Sequence, residues 1–222
     1  MTDQYVEKHW REVNSRTSCK GTEFGKGIKD FKFSVGQGYG FIPAQSYFRV
    51  ELKLLTGTGK VPDQVDKLAF ADNVCGNLWN NIYFNMGGQT VSYLSNGVPQ
   101  CDILKSRLTK NPSYNKSIGV AQGLNGHWVE RFSQMFKYGD DIHQSLNKSQ
   151  EGRFQRNFIW QPSLGIFEYS LPMGAGEYEF QLNPSTDFAS ACVDTGLSRI
   201  QCYSGSRSHG CSFLRMHVQS ES

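Results

Sequence analysis

Ten residues, Ser46 to Leu55 (SYFRVELKLL), constrain the fold of this chain more than any other stretch. Tyr47, Arg49, Glu51 and Lys53 alternate with Phe48, Val50, Leu52 and Leu54. Successive side chains of a strand point to opposite faces, so this segment predicts a strand with one wet face and one dry face. Such a pair of faces belongs to an antiparallel sheet packed on one side. The register puts Phe48, Val50, Leu52 and Leu54 inside, and Arg49 and Glu51 outside.

Composition points the same way. Aromatic residues make up 13% of the 222 residues, charged residues only 19%, and there are 23 glycines. Short strands joined by glycine turns fit that mix better than a helical bundle does. The length suits one all-β domain with a sizeable core, or two small ones. The formal net charge is +3, and residues 1–30 hold six Lys and Arg against five acids. This is not a basic arm, so no strong direct nucleic-acid binding is expected. The opening MTDQYVEKHWREV is polar and lacks the apolar core of a signal peptide. No run reaches the roughly 18 apolar residues of a membrane span. Cys19, Cys75, Cys101, Cys192, Cys202 and Cys211 include no CxxC pair. With the polar start, they read as reduced thiols of an intracellular product, in which the sequons at Asn115 and Asn147 have no role.

Along the chain, residues 1–30 are polar and aperiodic and read as an N-terminal arm. Phe31 to Val35 alternates as a strand, and Gly36 to Gly40 (GQGYG) turns. Val65, Leu68 and Ala69 are spaced as on a short helix. Asn81 to Asn85 is a strand closed by Met86-Gly87-Gly88-Gln89 into a hairpin with Thr90 to Leu94. Gln100 to Thr109 predicts a helix with Ile103, Leu104 and Leu108 on one side. The last strand is Phe213 to Val218. About seven or eight strands with two brief helices predict an all-β fold: an antiparallel β-sandwich of jelly-roll type with short helical insertions, spanning 31–222 as a single domain.

No catalytic pattern emerges. GQGYG lacks the spacing of a dinucleotide loop, and Gly57-Thr58-Gly59-Lys60 lacks that of a phosphate loop. No GxSxG anchors a serine nucleophile. Glu177 and Glu179 share a strand face and read as solvated carboxylates rather than an acid/base pair, since nothing adjacent in sequence would split their pKa values. The one set with zinc-like ligand types is Cys202, His209, Cys211 and His217, near Cys192, but its spacing matches no finger or ribbon. Neither a metal nor an organic cofactor is expected.

Three segments, taken in order, resemble the major capsid proteins of the double jelly-roll lineage, especially those of Polinton-like and adintovirus-type DNA viruses. They are Phe41 to Leu54 (FIPAQSYFRVELKL), Asn73 to Val91 (NVCGNLWNNIYFNMGGQTV) and Arg153 to Asn183, in which Trp160-x-Pro162-x-x-Gly165-Ile166-Phe167 precedes Leu171-Pro172 and an alternating strand. The resemblance covers about residues 30 to 184. It implies the first of two jelly rolls in a structural, non-enzymatic capsid protein. Such a protein is made inside the infected host cell and incorporated into the virion. Its partners would be a second jelly roll and further subunits in trimeric, pseudo-hexagonal capsomers of an icosahedral shell. Phe158, Trp160, Pro162, Phe167, Tyr169 and Pro172, with the terminal face of Leu214, Met216 and Val218, then become structural or interface residues. A jelly roll also serves as a carbohydrate- or receptor-binding module, in which Tyr114, Trp128 and Tyr138 would stack on sugars.

Overall fold

The computed structural model describes residues 8–18, 24–54, 68–70, 73–111, 113–114, 118–124, 155–186, 192–194 and 209–221. For 53–54, 68–70, 120, 155–156, 192–194 and 209–221 it describes the backbone alone. The strands are β1 (Lys8–Asn14), β2 (Lys29–Val35), β3 (Gly40–Phe41), β4 (Tyr47–Leu54), β5 (Leu68–Phe70), β6 (Trp79–Met86), β7 (Gln89–Ser95), β8 (Gln155–Trp160), β9 (Gly176–Pro184), β10 (Cys192–Asp194) and β11 (His209–Glu221). Helices α1 (Val74–Asn77), α2 (Val98–Thr109) and α3 (Ile118–Ala121) lie between β5 and β8.

One sheet runs β1-β11-β4-β8, with β3 attached to β11, and a second runs β2-β9-β6-β7. All their pairings are antiparallel. With the short strands β3, β5 and β10 set aside, the first strand pairs with the last, the second with the second-last, the third with the third-last, and the middle two with each other. This nested order is a long hairpin rolled into two facing sheets, the jelly roll. The fold is therefore the expected antiparallel sandwich with helical insertions.

The core lies between the sheets. Phe48, Val50 and Leu52 are buried while Arg49 is exposed, as the alternation requires. The Leu54 side chain lies outside the described residues. Phe48 is the hub. Its ring centroid is 5.4 Å from Phe31 and 5.7 Å from Phe180 on the opposite sheet, and 5.8 Å from Trp160 and 6.1 Å from Phe167 on its own side. Edge-to-face and tilted aromatic pairs at such distances add to the burial of apolar area.

Two expectations change. Residues 8–14 do not belong to an arm but form β1, hydrogen-bonded to β11 along its whole length. Only Val13 of β1 is buried, so the strand carries no visible alternation. Leu68 and Ala69 lie on β5, paired with β10, and the short helix falls later, at α1. A three-residue strand is too short for its periodicity to compete with helical spacing. At the start of β2, Lys29 is fully buried, its ammonium donating to the Ser18 carbonyl at 2.6 Å and the Lys26 carbonyl at 2.9 Å. Those bonds satisfy a charge that would otherwise be costly to bury.

Gly40 marks a close approach. A Cβ there would stand 2.5 Å from Cβ of Pro172, beside the reciprocal backbone bonds of Phe41 and Met173 at 2.8 and 2.7 Å. Gly40→Ala should force this corner apart and cost about 1–3 kcal/mol, read as a lower urea midpoint.

Candidate assembly surface

The insertion between β7 and β8 contains α2, the expected helix, and its leucine side is not the side it buries. The buried positions of α2 are Val98, Asp102 and Ser106. Leu104 is 56% exposed and Leu108 is 82% exposed. The reason is polar. One carboxylate oxygen of Asp102 accepts from the Trp160 indole Nε1 at 2.9 Å, and the other accepts from the Ser163 backbone N–H at 2.8 Å. Asn73 Nδ2 donates to the Pro99 carbonyl at 3.1 Å. Lys105 pairs with Glu168 at 2.7 Å, and the hydrogen bond from Lys105 holds the Glu168 carboxyl below its usual range. Burial pushes the Asp102 carboxyl above its usual range, against the opposing hydrogen bonds from Ser163 and Trp160. Gly76 makes room for this junction, because a Cβ there would stand 2.5 Å from Asn73 Nδ2 and 2.8 Å from Asp102 Oδ2.

Fastened by its polar side, α2 turns Leu104 and Leu108 outward, one helical turn apart. Other exposed apolar side chains are Ile118 on α3, Val91 and Tyr93 on the edge strand β7, and Trp10 on β1. Tyr93 stacks on Tyr83 of the neighbouring strand at 6.4 Å, and Trp10 reaches Tyr47 at 5.8 Å. Both pairs lie on outward faces of the sheets.

The sequence-predicted residues divide sharply. Phe158, Trp160 and Phe167 are buried at 1%, 2% and 4% exposure, so of the structural and interface roles expected of them they take the structural one within this chain: they fill the sandwich. Pro162 is buried beside them, Tyr169 is 45% exposed and Pro172 is exposed at the corner packed on Gly40. On β11, the backbone register sets Leu214 opposite Val50 and Met216 opposite Phe48. Directly opposed residues fall on one face of an antiparallel pair, and for β4 that face is the core face. Val218 stands opposite Arg11 of β1. The side chains of Leu214, Met216 and Val218 lie outside the described residues. The same holds for His209, Cys211 and His217, and Cys202 lies outside altogether, as do Gly57 to Lys60, Trp128 and Tyr138. Among the described residues no three His, Cys, Asp or Glu are grouped to hold a metal ion, and no described helix is long and apolar enough to cross a membrane.

Tyr114 is half-buried. Its hydroxyl donates to Gln122 Oε1 at 2.9 Å, and Lys110 Nζ stands 4.8 Å from its ring. One face of the ring is thus already taken by an ammonium, which leaves less of it for stacking on a sugar. Glu177 is exposed and bonded to Lys32 at 2.8 Å, which holds its carboxyl below the usual range.

Nested pairing, an aromatic core and a polar-docked helical insertion define a jelly-roll scaffold. No known family pattern matches the sequence, and no curated protein matches it. Among solved structures, a chain of the Sputnik virophage, determined by electron cryomicroscopy, shares the fold with a TM-score of 0.52 at 10% identity, over 98% of this chain and 47% of that one. A chain of the PBCV-1 virus capsid aligns at TM-score 0.40 and 13% identity, over 99% of this chain and 43% of that one. PBCV-1 VP54, as fitted into a reconstruction of the virophage Sputnik, aligns at TM-score 0.44 and 13% identity, over 99% and 43%. The chain spans about half the length of the solved chains it matches.

Proposed function

We propose that this chain is a structural subunit of a viral capsid, acting without catalysis as the first of two jelly rolls and residing in the virion. The observation that carries the proposal is the nested pairing of the two sheets, in a fold that aligns with the Sputnik virophage chain over nearly the whole of this chain and about half of that one. In this role the sandwich is rigid filling between neighbours. The insertion and the sheet edges make the contacts, in trimers that tile a closed shell.

Self-association tests the reading. The purified 25.0 kDa chain is expected to form trimers or larger shells in analytical ultracentrifugation, visible as regular particles by electron microscopy. Leu104→Glu with Leu108→Glu should weaken association at least about tenfold, since each leucine removed from a buried contact is worth roughly 1.5–3 kcal/mol, and circular dichroism should stay unchanged. Charging Leu214 and Met216 is a poorer test, because their register partners are core residues. A chain that stays monomeric up to roughly 100 μM counts against the proposal, because shell contacts close by mass action. Glycan binding by that monomer would favour the carbohydrate-binding module instead.

A further inference from the structure

On the outward face of the second sheet, two carboxyl groups meet across β2 and β9. Lys32 of β2 stands opposite Glu179 of β9, and Asp30 stands opposite Gln181. Asp30 and Glu179 are thus diagonal neighbours, and their carboxyl groups lie within hydrogen-bonding reach of each other. Neither can donate while both are ionised. Oδ1 of Asp30 is shut off from solvent and has no hydrogen-bond partner among the described residues. Its other oxygen is 3.8 Å from Arg16 Nη1, too long for a close ion pair to hold it. Glu179 is better supplied, with Oε2 accepting from Asn85 Nδ2 at 2.9 Å. The charges facing the pair are Arg16 from the 15–18 turn, Lys32 on β2 and Glu177 on β9, and β6 presents the neutral Asn85 opposite Glu179 and Tyr83 opposite Gln181. Lys32 is already bonded to Glu177 at 2.8 Å.

We propose that Asp30 and Glu179 hold one proton between them, and that this proton is a latch fastening the edge strand β2 and the 15–18 turn to β9. With the proton on Asp30, Oδ1 becomes a donor to the Glu179 carboxylate, and the orphaned buried oxygen acquires a charge-assisted partner. Without it, two like charges face each other on an edge strand. The 15–18 turn is tied to the same place, since Arg16 N–H donates to the Asp30 carbonyl at 2.8 Å and Thr17 Oγ1 donates to the Ile28 carbonyl at 2.7 Å. The electrostatics agree. Burial, followed by the contact with Glu179, raises the Asp30 carboxyl, whereas the Asn85 amide lowers Glu179. Environments that push two carboxyls apart let one proton reside between them, and the pair titrates as a unit.

The sign follows from the raised group. The folded chain binds the Asp30 proton more tightly than the unfolded chain, so the latch contributes its stability at low pH and loses it as pH rises through the folded value. Two measurements on the whole chain decide the matter. In a ¹³C-carboxyl NMR titration, one member of the pair should titrate above the ordinary carboxylate range and the other below it, and Asp30→Asn should remove the upper step. The urea midpoint of the wild type should fall as pH rises above that range. Asp30→Asn, whose amide donates at every pH, should keep the higher midpoint throughout, and Asp30→Ala should be low throughout. The comparison is made between variants at each pH, so other titrating carboxyls cancel. Independent titration of both groups in the ordinary range, or an unchanged pH step in Asp30→Asn, would overturn the proposal.

Discussion

Phe48→Ala is expected to lower the stability of the chain by about 3–5 kcal/mol, the cost of deleting a fully buried phenylalanine. Phe48 is fully buried and touches the rings of Phe31, Trp160, Phe167 and Phe180. Phe31 and Phe180 come from one sheet, Trp160 from the other and Phe167 from the turn at 165–168, so the void lies at the seam of the sandwich, where neither sheet can collapse into it without moving the other. Against a typical total of about 5–15 kcal/mol, the loss is a large share. A drop in melting temperature of roughly 10 °C should accompany it at this chain length. Phe48→Leu keeps most of the volume and should cost well under half as much. Calorimetry or urea titration by tryptophan fluorescence checks both. A loss below about 1 kcal/mol for the alanine variant would mean that the two sheets do not share the core assigned to them.

Asp102→Ala should be the most damaging change outside the aromatic core. It removes the acceptor of a buried indole N–H and of the Ser163 backbone N–H together. Each donor left unsatisfied costs about 1–3 kcal/mol, so a loss on the order of 3 kcal/mol is expected. The effect should first be local. Amide exchange in Val98–Thr109 should accelerate before the sheets open, because the helix loses its anchor and the sheets keep their ladders. Asp102→Asn retains one acceptor oxygen and should be markedly milder. It should also remove a pH dependence. Burial raises the folded carboxyl above its ordinary value, so the folded chain holds this proton more tightly than the unfolded chain does. The stability carried by the protonated form is lost as pH rises through the folded value. A flat difference between Asp102→Asn and wild type across that range would contradict the raised carboxyl.

Much of the sandwich was legible in the residues. The alternation of Tyr47 to Leu54 set a register that the structure reproduces at Phe48, Val50 and Leu52. The paired glycines after Met86 marked the β6–β7 hairpin, and the EYEFQL alternation marked β9, whose Tyr178, Phe180 and Leu182 are buried. Strand β1 was not legible, because an edge strand that buries one side chain has no periodicity to display. The aromatics of the 158–167 stretch read equally as core or as surface for a neighbour, and they are core. Composition reports that such residues need covering but not what covers them.

What the sequence determined by itself was local: which segments are strands, where turns break them, and which face of the central strand is dry. These follow from side-chain periodicity and backbone sterics within a few residues. What only the tertiary structure decided was pairing and orientation. The nested order that joins β1 to β11 spans nearly the whole chain, and no local pattern encodes it. Helix α2 carries leucines on one side, and two hydrogen bonds to Asp102 from residues about sixty positions away turn that side outward. Asp30 and Glu179 are 149 residues apart and face each other only because β2 and β9 are paired. In each case the deciding contact is long in sequence and short in space, where an unsatisfied buried polar group costs more than an exposed leucine.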